Sequence, residues 1–220
     1  MAGRWPKQGS AQPAAVAAAA ALAGGGTLPA LAAGAGVSPE VLLRDPAQQF
    51  GFMVYAGLVS TGGIFLMIGT AAAALLGAML VPERRMLLLA VAALSAVIAC
   101  DDQFVFHDPI AGVHLGITGS FVTAAYGLWG LALLAHPAVR LRGAGGLAVA
   151  FGLLGASAGI DLLVPYSTAI LVAEDLLKLA GYAAWASFWF LFARAEIAQR
   201  AGGIEYVSEA RATGSAVPSE

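Results

Sequence analysis

The sequence predicts an all-α protein: a polytopic membrane helix bundle of five transmembrane helices, with material for a sixth. Three observations carry that reading. The 220 residues are 60% hydrophobic and only 11% charged, whereas a soluble domain carries charge on roughly a quarter of its residues. Apolar runs recur at about the 20-residue length that crosses a bilayer. Between them stand short breaks marked by proline and arginine, at Pro82-Glu83-Arg84-Arg85, Pro109, His136-Pro137 and Pro165.

Residues 1–35 read as a targeting segment. Arg4 and Lys7 form a basic start, Ala14 to Ala23 a weakly apolar stretch, and Ala30-Leu31-Ala32 a small-residue cleavage pattern. Two alternatives stay open: an uncleaved Ala-rich span, interrupted by Gly24-Gly25-Gly26 and Pro29, or a disordered Ala/Gly tail. Residues 36–49 form a polar extracytoplasmic lead-in, and 50–196 the bundle. Its spans run from about Phe50 to Val81, Met86 to Phe106, Val113 to Ala135, Leu147 to Leu163, and from Tyr166 past Phe192. The polar, small-residue tail 197–220 is expected to be disordered.

Arg84-Arg85, Arg140 with Arg142, and Arg194 with Arg200 fall at alternate breaks, hence on one side. The positive-inside rule makes that side cytoplasmic, with the C-terminus; the expected setting is a bacterial cytoplasmic (inner) membrane. A formal charge of −2 and no basic cluster beyond Arg84-Arg85 exclude nucleic acid as a partner. Cys100 stands alone, which excludes an internal disulfide and a thiolate zinc ribbon.

Acidic and histidine residues collect on the other side. Asp101, Asp102 and Asp108 end the second span, His107 and His114 flank the loop after it, Asp161 ends the fourth span, and Glu174 and Asp175 lie inside the fifth. Glu174 and Asp175 precede Lys178 by four and three residues, so the three share a helical face, with Lys178 expected to neutralise Asp175. Ionisable groups within a span are costly and normally face a bundle interior or a wet cavity. Carboxylates and imidazoles suit a divalent metal, be it zinc, manganese, iron or copper, and the candidate ligands are Asp101, Asp102, His107, His114, Asp161 and Glu174. The plainer reading is a structural ion pair on the fifth helix and interfacial histidines bonded to water.

The stripes Gly69-x-x-x-Ala73-x-x-x-Gly77 and Gly155-x-x-x-Gly159 offer close helix approach. Trp185 and Trp189 are expected in an interfacial aromatic belt. In the third span, Thr118, Ser120, Thr123 and Tyr126 offer hydroxyls for bonds between helices.

The stretches Asp101-Asp102-Gln103-Phe104-Val105-Phe106-His107-Asp108 and Glu174-Asp175-Leu176-Leu177-Lys178-Leu179-Ala180-Gly181 resemble a pattern in uncharacterised bacterial multi-pass membrane proteins. Those carry D-[DE]-x-x-x-x-H-[DE] after one span and an acidic pair followed by glycine in a later one. The resemblance implies a multi-pass fold and no activity. Glu174-x-x-x-Lys178 is also similar to the acid-to-lysine spacing of the retinal helix in microbial rhodopsins, but the chain is two spans short and lacks their aromatic pocket. Membrane hydrolases related to alkaline ceramidase have a late HxxxH pair that is missing here. The expected function is a metal- or proton-linked binding module in the bilayer. An accessory subunit of a larger membrane complex, docking membrane-protein partners or a second copy of itself, is the first alternative. A metal-dependent membrane hydrolase is the second.

Overall fold

Apolar runs become helices because a backbone in lipid must satisfy its own amides and carbonyls, and a helix does so within one segment. The computed structural model describes residues 57–106, 116, 118–142, 145–165 and 167–213. Before these it describes residues 19, 22, 23, 27, 30, 31, 33–38, 50, 51 and 53, and among all of them no strand occurs. The chain divides into residues 1–56 and 57–220. In the first unit the described residues from Ala19 to Gly34 are helical. The Ala35 amide donates to the Leu31 carbonyl at 3.1 Å, and Gly36 turns the chain at a φ of 79°. Most of the expected lead-in 36–49 lies outside the described residues.

The second unit holds α1 (Leu58–Leu80), a 3-10 turn (Pro82–Arg84), α2 (Arg85–Phe104), α3 (Gly119–Ala135), the short α4 (Pro137–Leu141), α5 (Gly145–Leu163) and α6 (Thr168–Thr213). Among the described residues, four segments have the length and apolar composition to cross a membrane: α1, Pro82–Phe104, α5, and Thr168–Gly202 of α6. The apolar α3 has 17 residues and falls short of that length. Four such helices therefore stand where five or six spans are expected. The first begins at Leu58 rather than Phe50 because Gly57, at a φ of 71°, sets its start. At the other end α6 continues to Thr213, through residues expected to be disordered. No proline interrupts 168–213, and adding residues to an existing helix is far easier than starting one.

Helix α1 turns tightly into α2 and packs along it, and α6 packs on both α1 and α5. Glycines set the close approaches. A Cβ at Gly63 would stand 2.9 Å from the Tyr182 ring, one at Gly77 would stand 3.0 Å from Leu88 Cδ1, and one at Gly181 only 2.6 Å from Leu154 Cγ. The Gly69/Gly77 stripe is thus used inside the bundle, against Phe190 of α6 and Leu88 of α2. Around Gly155 and Gly159, by contrast, nothing described comes within 4 Å of a Cβ. Where α1, α2 and α6 meet, Met67, Leu88, Val91, Leu94 and Trp189 are fully buried. Phe65, Met79 and Leu128 are each more than 60% exposed, as befits side chains facing hydrocarbon.

Candidate functional site

The site is built on α2 and α6, whose backbones stand apart and are joined by long side chains at three levels. Arg84 pairs with Glu196, Ser95 accepts the indole N–H of Trp185, and Asp102 pairs with Lys178. From Arg84 to Ser95 is 11 residues and from Ser95 to Asp102 is seven; the steps from Glu196 to Trp185 and from Trp185 to Lys178 are the same. Steps of 7 and 11 return a helix to nearly the same face. One face of α2 therefore meets one face of α6 in a single antiparallel register. The outer levels are 18 residues apart, or about 27 Å at the helical rise, close to the roughly 30 Å of a bilayer's hydrocarbon core.

At one end, Lys178 Nζ lies 2.7 Å from Asp102 Oδ1, and the Tyr182 hydroxyl donates to Asp102 Oδ2, also at 2.7 Å. The Asp102 side chain is 7% exposed and that of Lys178 32%. The neighbouring Asp101 is buried and lies a further 100° around the helix, where its carboxylate takes a hydrogen bond from Tyr126 of α3. On α6, Glu174 is within electrostatic reach of Asp161, Asp175 and Lys178, and its carbonyl accepts from Ser157 Oγ of α5 at 3.1 Å. Exposure grades outward from buried Asp101 and Asp102, through half-buried Glu174 and Asp175, to exposed Asp161.

The backbone here is held against local preference. Asp101 and Asp102 sit in the last turn of α2, where the helix dipole disfavours negative charge. The helix ends on Val105 at φ 53° and ψ 43°, its amide bonded to the Asp101 carbonyl. A left-handed β-branched residue is a true outlier, and such strain persists only where the surroundings over-determine it.

The opposite end is basic. Glu196, with a side chain 7% exposed, takes a hydrogen bond from Arg142 Nε at 3.0 Å and lies 3.4 Å from Arg84 Nε. Arg142 also donates to Gln199 and lies over the Phe192 ring, 5.5 Å from its centroid. Arg200 pairs with Glu83. The three arginine-bearing breaks thus converge. His136, between α3 and α4, accepts the Ala138 amide on Nδ1 and caps α4.

The expected acids Asp101, Asp102, Asp161, Glu174 and Asp175 gather at one end, but the partner of Lys178 is corrected. It reaches across to Asp102 on α2, because its face of α6 looks at α2 through the register above, whereas Asp175 belongs to its own helix. His107, Asp108 and His114 lie outside the described residues. Among the described residues no group of three or more His, Cys, Asp or Glu is disposed to hold a metal ion. Sequence reasoning missed Tyr182, Ser95 and the role of Trp185. The tryptophans are not interfacial: Trp185 and Trp189 are 3% and 0% exposed, part of a ring cluster with Phe151, Phe188 and Phe192. The shared 7- and 11-residue steps were the available signal.

Membrane-length apolar helices riveted by buried polar pairs define an α-helical membrane protein with an acidic and a basic end. The chain belongs to the family described as a domain of unknown function, DUF8692, whose model matches residues 13–192. That stretch contains the whole acidic end. No curated protein and no solved structure matches the chain.

Proposed function

We propose that this is a membrane-embedded binding module that takes a small cation in exchange for protons at its acidic end. The observation that carries the reading is the Asp102 carboxylate, buried between the Lys178 ammonium and the Tyr182 hydroxyl. Four further carboxylates share that end, from Asp101, Asp161, Glu174 and Asp175, and Lys178 is the one lysine or arginine described there. A surplus of carboxylates beside low-dielectric helices is balanced by protons or by a bound cation. Asp161 and Glu174 lead in from the exposed side, and the strained turn at Val105 keeps the carboxylate pair in place. Lys178 competes with the incoming cation for Asp102, and Tyr182 holds the carboxylate's orientation.

The same reading makes α3 a fifth span. It starts beyond the α2 terminus that carries Asp102 and leads through α4 to Arg142 at the Glu196 end, so it has the same thickness to cross. The surplus arginines put the basic end and the C-terminus in the cytoplasm of a bacterial cell, and the acidic end outside.

The test is calorimetric titration of zinc, manganese, iron(II) and copper into the detergent-solubilised protein, with released protons counted. Saturable binding of one of these ions with proton release, lost in Asp102→Asn and kept in Glu196→Gln, is the expected result. Binding by none of them, or binding indifferent to Asp102→Asn, overturns the reading.

An accessory-subunit role has one observation in its favour: around Gly155 and Gly159 the described structure leaves room for another helix. It requires Gly155→Leu to abolish co-purification of a partner while leaving this chain's own unfolding temperature unchanged.

A further inference from the structure

At the basic end, a groove of about 700 Å³ opens between α5 and α6, within the size range of small-molecule sites. It is walled by Val149, Phe188 and Leu191, floored by the small residues Gly146 and Ser187, and bounded by Arg142. A Cβ at Gly146 would meet the Phe188 ring at 3.4 Å, an ordinary contact, so the missing side chain leaves the groove open beside that ring. From Leu191 to Ala184 the lining runs along α6 for seven residues, about 10 Å.

Arg142 is fixed in place by Glu196, Gln199 and the Phe192 ring. The charge around it is unbalanced. Arg84 and Arg142 share the single carboxylate of Glu196, and Glu83 pairs with Arg200. Arg85, Arg140 and Arg194 nearby are exposed. Up to residue 200, six arginines against two glutamates leave this end with a surplus of four positive charges among the described residues.

An apolar slot on membrane-length helices, headed by a positioned guanidinium, matches one occupant in both halves. We propose that the groove seats an anionic phospholipid, with its phosphate on Arg142 and the upper part of one acyl chain between Phe188, Leu191 and Val149. Basic pockets between membrane helices bind anionic headgroups in this way, and guanidinium suits phosphate through paired hydrogen bonds. Bound lipid would tie α5 to α6 at the end where Ser157 does not reach. The site is independent of the acidic end and stands or falls separately from it.

The experiment is native mass spectrometry of the full chain, released from detergent supplied with equal amounts of phosphatidylglycerol and phosphatidylcholine. One phosphatidylglycerol retained per chain, in preference to phosphatidylcholine, is expected. Ser187→Phe fills the slot and lowers that retention to the level of phosphatidylcholine, with the unfolding temperature unchanged. If that variant unfolds, Val149→Phe fills the slot from the α5 side and takes its place. Arg142→Lys weakens the preference between the two lipids, and the exposed Arg140→Gln leaves it intact. Equal retention of both lipids, or full retention of phosphatidylglycerol by a folded slot-filled variant, overturns the proposal.

Discussion

At each end of the α2–α6 pair the carboxylate that joins the two helices is buried to the same depth: the side chains of Asp102 and Glu196 are both 7% exposed. Their surroundings differ in sign. Glu196 sits among a surplus of arginines, so its charge is fully compensated, and the cations left over face the surface. Asp102 has one ammonium and one phenol, and more carboxylates stand behind it. Equal burial therefore does unequal work. On the proposed reading the basic end orients the helices in the bilayer, and the acidic end is left with charge that a cation or protons balance. Between them, Trp185 and Ser95 hold the register without any charge.

The largest expected effect is at the acidic end. Asp102→Ala strands Lys178 and the Tyr182 hydroxyl, and breaking a buried pair from one side costs about 3–5 kcal/mol. Thermal unfolding in detergent should show the greatest fall in midpoint of any single change here. A variant as stable as the wild type would mean that the pair is solvated. Glu196→Gln should cost less, about 1–3 kcal/mol, because the amide keeps an oxygen that can still accept from Arg142, whereas alanine at 102 leaves nothing for Lys178 or Tyr182. If the order of these two losses is reversed, the contrast between the ends fails.

The glycines sharpen the same contrast within the fold. Gly181→Ala would drive a methyl into Leu154 and toward its backbone nitrogen, 3.2 Å away, at about 1–3 kcal/mol. Gly155→Ala meets nothing described within 4 Å and should lie within about 0.5 kcal/mol of neutral. The same unfolding assay compares them, and equal losses would place an unseen neighbour on the Gly155 face. The smallest pair is aromatic. Trp185→Phe loses the bond to Ser95, worth about 1 kcal/mol, beyond its packing. The Trp189 indole N–H is buried with no hydrogen-bond partner among the described residues, so Trp189→Phe should be the milder of the two.

Much of this was legible in the sequence. Helices α2 and α5 begin and end within two residues of the spans expected between the proline and arginine breaks, because those residues interrupt apolar runs by removing an amide or adding a charge. The gathering of acids at one end and arginines at the other followed from the alternation of the breaks. The pairing of Lys178 did not. Local spacing ranks Asp175 and Glu174 as its neighbours, and only the α2–α6 register, a property of two segments at once, turns it to Asp102. Tyr182 was hidden for a related reason: a tyrosine in an apolar run looks like packing until its hydroxyl is seen on a carboxylate. Trp185 and Trp189 misled because tryptophan in a membrane helix is commonest at the interface. Here a serine on the facing helix satisfies one indole N–H in mid-span.

The most direct test of the account is equilibrium binding of zinc, manganese, iron(II) and copper to the solubilised protein, measured beside Asp102→Asn and Glu196→Gln. The account predicts saturable binding of one of these ions that Asp102→Asn abolishes and Glu196→Gln keeps. Equal losses in both variants, or full binding by Asp102→Asn, would contradict it, and would reduce the acidic end to a second structural clasp.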